Sequence, residues 1–178
     1  MFKTKGLIVG MAFGAIAISL IVLFITFTTK IEVTFNGFNI DILIYIALFF
    51  LVAISEEALS RGFIFTNLYN QSNGYVAIIV SSLIFSLMHA FNSSFNWVGM
   101  LNIFLIGIFF CQLYLKGMNL SIPIGFHFTW NLFQGTVFGF SVSGFTSQGI
   151  FKIESLSGTK FPFEGDRKSV RVGKECRS

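Results

Sequence analysis

From Asp41 to Arg61 the chain reads DILIYIALFFLVAISEEALSR. The apolar run beginning at Ile42 continues with no turn signal into Ser55-Glu56-Glu57-Ala58-Leu59-Ser60-Arg61, so three ionisable side chains fall within six residues of one apolar helix. A charge at the centre of a membrane helix costs about 2.5–3.5 kcal/mol on insertion scales, and residues kept at that cost usually have a task. Helical spacing separates the three. Glu57 and Arg61 are four apart in the favoured acid-before-base order and can neutralise one another on one face. Glu56 points about 100° away from Glu57, so it needs another partner or stands poised for chemistry. A purely structural ion cluster of all three is the competing reading.

The rest of the chain points to lipid as the solvent. Apolar residues make up 54% of the 178 residues and charged residues 11%, against about 45–50% and about 25% in soluble domains. So few charges cannot cover a water-facing surface. Five apolar segments are predicted as helices, at about 6–29, 41–68, 75–91, 97–115 and 121–140. Only helices and closed barrels satisfy their backbone in lipid, and these runs lack strict alternation. The expected fold class is therefore all-α, a polytopic transmembrane bundle of about five membrane helices. The first segment exceeds the roughly 20 residues needed to span a bilayer and is longer than the apolar region of a signal peptide. Pro123 suits the first turn of the fifth. Short polar loops at 71–74, 92–94 and 117–119 make successive helices antiparallel.

Lys3, Lys5 and Lys116, with Arg61 at the inner end of the second helix, fall on one side; Lys30, Glu32 and Asp41 fall on the other. The positive-inside rule then places the N-terminus in the cytoplasm. The net charge of +4 is a property of the C-terminal end, where Arg167, Lys168, Arg171, Lys174 and Arg177 supply five of the 12 bases. The remainder is close to balance, so no nucleic-acid partner is expected. Cys111 and Cys176 offer neither a disulfide framework nor a CxxC metal site. The chain divides into an N-terminal transmembrane helix and loop (1–38), a helical core (39–145), a loosely held segment (146–165) and a basic tail (166–178). That tail resembles the translation of a sequencing-library adapter and is expected to be non-native, with few contacts to the bundle. A basic tail binding anionic lipid is the alternative.

The chain has two histidines, both in apolar segments. His89 closes Phe85-Ser86-Leu87-Met88-His89, and His127 opens His127-Phe128-Thr129-Trp130-Asn131, with Asn131 one turn on along the same face. Glu56 and His89 are equally far in sequence from the centre of the 71–74 turn, which puts them level in an antiparallel hairpin. Glu56 lies about 15 Å below Thr66, and His127 about 12 Å below Asn119, at 1.5 Å per residue. All three can therefore meet in one polar pocket beneath the membrane surface.

Glu-Glu-x-x-x-Arg at 56–61, Phe-x-x-x-His at 85–89 and His-x-x-x-Asn at 127–131 fall in that order on successive helices. Together they resemble the CAAX-protease and bacteriocin-processing (CPBP, or Abi) family of intramembrane glutamic endopeptidases, over about 41–140. The stretch 123–144 is similar to bacterial members in particular. The resemblance implies a membrane-embedded, metal-independent peptidase with no cofactor, acting on a peptide or protein substrate in the bacterial cell membrane. It implies Glu56 as general base on a water and His89 as the group that holds that water. His127 and Asn131 would donate to the oxyanion, with Glu57 and Arg61 as support for the site.

Two other readings stay open. One is a zinc peptidase with Glu56, His89 and His127 as ligands, since His₂Glu is a catalytic zinc set. No HExxH motif is present, and Glu57 would have to leave Arg61 to act as base. The other is a non-catalytic bacteriocin-immunity or scaffold protein, or a small transporter whose buried charges line a proton path.

Overall fold

The computed structural model describes residues 3–92, 96–143 and 149–155. The tail 166–178 and the preceding residues 156–165 lie outside the described residues. Five helices and one two-stranded sheet are present among them: α1 (Thr4–Thr28), β1 (Ile31–Phe35), α2 (Asp41–Gln71), α3 (Gly74–Met88), α4 (Trp97–Gly117), α5 (Ser121–Leu132) and β2 (Phe151–Ser155). The protein is an all-α membrane bundle in class. Helices α1, α2 and α4 are long and apolar enough to cross a bilayer, whereas α3 is apolar but shorter. Its 15 residues rise only about 22 Å.

The bundle is inside-out by the standards of a soluble protein. Large apolar side chains such as Ile16, Phe24, Leu43, Leu51 and Leu83 are exposed, while Glu57, Ser60, Arg61, Ser82 and Ser86 are buried. Lipid makes this arrangement favourable: tails solvate the apolar exterior, and polar groups gain by turning towards one another. The burial of Arg61 also removes it from the flanking charges counted above for orientation, leaving Lys3, Lys5 and Lys116 on that side.

Helices α1 and α5 approach most closely, and the cause lies in the backbone. Along α1 the buried residues are Gly10, Gly14, Ile18 and Val22, one every fourth position. A Cβ at Gly10 would collide with the carbonyl oxygen of Ile122, and one at Gly125 with that of Leu7. Thr129 Oγ1 donates to Met11 O (2.9 Å) across the same seam. Small residues of this kind let membrane helices pack by close contact where no hydrophobic drive exists between them. Helices α3 and α4 repeat the device with Ser82 against Gly107, and with Ser86 Oγ donating to Met100 O at 2.7 Å. Asn73 and Asn96 cap α3 and α4 by accepting from Tyr75 N and Gly99 N.

Two features depart from the sequence reading. First, β1 pairs antiparallel with β2, Ile31 opposite Ser155 and Phe35 opposite Phe151. No strand is expected from composition, yet within the segment 146–165 the described residues include this one. Ile153 packs with Val22 and Phe140, tying the pair to the end of α1. Second, α2 winds as a π-helix over Ala58–Phe65, and α5 continues as a π-helix over Phe133–Val137. Each segment begins one or two residues after a motif residue, Glu57 in one case and Asn131 in the other. π-helical turns often mark functional sites.

Candidate active site

Arg61 is the deepest charge. Its Nη1 donates to Glu57 Oε1 at 3.0 Å and its Nη2 to the carbonyl of Gly107 at 3.1 Å, and both charged side chains are 0% exposed. The guanidinium lies over the rings of Phe85 (4.2 Å) and Phe110 (4.9 Å), so a planar cation is held between two aromatic faces. From one residue beyond the π-helical segment, the hydroxyl of Thr66 donates to the Arg61 carbonyl at 2.8 Å. The expected Glu57–Arg61 pair is therefore present, and its surroundings supply more than a counter-charge.

Glu56 faces elsewhere, as its 100° offset requires. Its side chain is 24% exposed, against 12% for His89 and 9% for His127. Oε2 of Glu56 lies 3.6 Å from His89 Nε2 and 3.8 Å from His127 Nε2, and it has no hydrogen-bond partner among the described residues. These separations exceed a direct N–H···O bond, about 2.7–3.2 Å.

The two imidazoles are each held from behind. His89 caps the C-terminus of α3, one position beyond its last helical residue, and its Nδ1 is 2.9 Å from the carbonyl of Phe85. His127, near the middle of α5, has its Nδ1 3.0 Å from Glu57 Oε1. Its ring stacks on Phe110 (centroids 5.3 Å, 24°) and meets Phe85 edge-on (6.5 Å, 87°). Asn131 lines a cavity of about 200 Å³ together with Glu56 and His89. Asn92 adds a polar group there, and Val52, Met88 and Val142 form an apolar wall. A larger, open concavity of about 420 Å³ lies at the α1–β1 corner, 26–31, and holds no carboxylate or imidazole.

The six polar motif residues thus gather around one point, four at or near the cavity and two beneath it. Sequence reasoning missed the contact from Glu57 to His127, the roles of Phe85 and Phe110 as ring platforms, and Asn92. Only Phe85 carried a signal, as the first residue of its motif. Among the described residues no three His, Cys, Asp or Glu side chains are arranged to hold a metal ion.

The family model described as type II CAAX prenyl endopeptidase Rce1-like matches residues 37–133, more than half of the 178-residue chain. Neither a curated protein nor a solved structure matches it. The matched region runs from the approach to α2 into the first π-helical residue after α5, and so contains every motif residue named above.

Proposed function

The chain belongs to the Rce1-like family of type II CAAX prenyl endopeptidases, and from that premise we propose that it is an intramembrane glutamic endopeptidase whose general base is Glu56. Membership implies a peptide-bond hydrolase in a bilayer. The finer reading rests on one observation, the approach of His89 Nε2 and His127 Nε2 to the same oxygen of Glu56, beside a cavity that Glu56 and His89 line.

In this reading a water donates one hydrogen to Glu56 Oε2 and the other to His89 Nε2, whose Nδ1 already faces a carbonyl. Its lone pair is then free to attack the scissile carbonyl carbon while its proton passes to Glu56. Negative charge collects on the carbonyl oxygen. Asn131 stabilises it, as does His127 when its ring carries both hydrogens, a term worth about 2.7–4 kcal/mol per donor where measured in other enzymes. The proton on Glu56 then passes to the amine nitrogen as the C–N bond breaks. Domain limits of 1–38 and 39–145, a cytoplasmic N-terminus and residence in a bacterial cell membrane complete the proposal.

A zinc reading with Glu56, His89 and His127 as ligands has less support, since Glu57, the carboxylate that would have to act as base, is held by Arg61. The protein in lipid nanodiscs, incubated with a peptide library with and without a chelator, tests both. Cleavage that survives chelation is expected. Activity lost to the chelator and restored by zinc would replace this mechanism with the metal one.

A further inference from the structure

We propose that Glu57 is a positioning residue for His127, fixing which ring nitrogen carries hydrogen and turning the other towards Glu56, and is not only the counter-ion of Arg61. The proposal rests on the peptidase reading for its kinetic consequence, but its structural content stands alone.

The argument starts from one oxygen. Glu57 Oε1 is 3.0 Å from Arg61 Nη1 and 3.0 Å from His127 Nδ1. An arginine N–H can only donate, and a carboxylate paired with that cation has no O–H to give, so this oxygen is an acceptor only. The second group at hydrogen-bond distance must donate as well. His127 therefore carries hydrogen on Nδ1, and Nε2 is the nitrogen that faces Glu56 Oε2. A carboxylate acceptor makes this bond charge-assisted, stronger than the carbonyl contact that holds His89.

The surroundings prevent either partner from following the other. Glu57 is fully buried and tied to Arg61, which is itself fixed by the Gly107 carbonyl and by the rings of Phe85 and Phe110. The ring of His127 is stacked on Phe110. A flip of the imidazole would set a C–H against Glu57 Oε1 in place of the N–H. The result is a ring whose Nε2 is left to act in the cavity, giving a hydrogen bond when the ring carries both hydrogens and receiving one when it carries only Nδ1–H. A carboxylate that holds a histidine in one tautomer is known in serine proteases, where replacing it by the amide costs about 10⁴ in kcat.

The chain's two histidines make the test direct. Protein labelled with ¹⁵N-histidine in nanodiscs, with His89→Gln used to assign the remaining ring, should show hydrogen on Nδ1 of His127. A wild-type ring with hydrogen on Nε2 and a bare Nδ1 would overturn the proposal, whatever the activity. The second arm is the paired variant Glu57→Leu with Arg61→Met, which removes both charges together and so avoids stranding one of them. A mere counter-ion role predicts that kcat survives. Positioning predicts that His127 samples both tautomers and that kcat falls roughly 10²- to 10⁴-fold with little change in KM; kcat within about threefold of wild type would overturn it. Absence of any wild-type hydrolysis would sink the peptidase reading and leave the tautomer result to decide this one.

Discussion

Helix α5 is held on its two sides by opposite means. Towards α1 the contact is close and poor in polar groups: Gly10 and Gly14 let the backbones meet, Thr129 donates to Met11 O, and at the seam's end Lys3 N donates to Ser121 Oγ. Towards α2 it packs through Phe49, Ala53, Ile124 and Phe128, and beyond that patch Glu56, Glu57, Arg61, His89 and His127 gather beside a cavity. One side fixes position and the other carries chemistry. A membrane protein cannot rely on a hydrophobic core to press helices together, so close backbone contact on one face is what permits a polar, open site on the other. The helix that bears His127 and Asn131 is braced by a segment, α1, that lies outside the family match.

Substitutions on each side should therefore fail differently. The largest effect is expected at Arg61→Ala, which strips the buried Glu57 of its guanidinium counter-ion and should cost about 3–5 kcal/mol of stability, seen as a large fall in the thermal midpoint in detergent. Asn131→Ala should lower kcat about 10²- to 10³-fold, or about 2.7–4 kcal/mol, with an unchanged midpoint; a matching loss of stability would instead make Asn131 a packing residue. Gly14→Leu forces a side chain against the Phe126 backbone and should destabilise by about 1–3 kcal/mol. Wild-type stability there would mean that α1 does not brace α5. The smallest effect belongs to Thr129→Val, which removes the bond to Met11 at a cost of about 0.6 kcal/mol.

Much of this was legible in the residues, and the limits are physical. Long apolar runs specify membrane helices without reference to partners, and the offset of Glu56 from Glu57 follows from helical pitch alone. Loop symmetry was enough to set Glu56 level with His89. The contact between Glu57 and His127 was not accessible in the same way, because helical spacing fixes faces within one helix but not which faces meet. The strands at Ile31–Phe35 and Phe151–Ser155 each alternate apolar and polar residues over their first three or more positions, a signal too short to register beside a 25-residue apolar helix. Gly6, Gly10 and Gly14 fall at intervals of four, a pattern that could have announced the α1 seam. The π-helical segments had no such signature. Their i→i+5 bonding falls around Arg61 and just after Asn131.

The central claim is that Glu56, and not a metal, activates the water. It is tested most directly by comparing single-turnover hydrolysis of one cleaved library peptide by wild type and Glu56→Gln, both in chelator and both checked for an unchanged thermal midpoint. Turnover by wild type, with none detectable in Glu56→Gln, is the expected result. Hydrolysis by Glu56→Gln at the wild-type rate would contradict it.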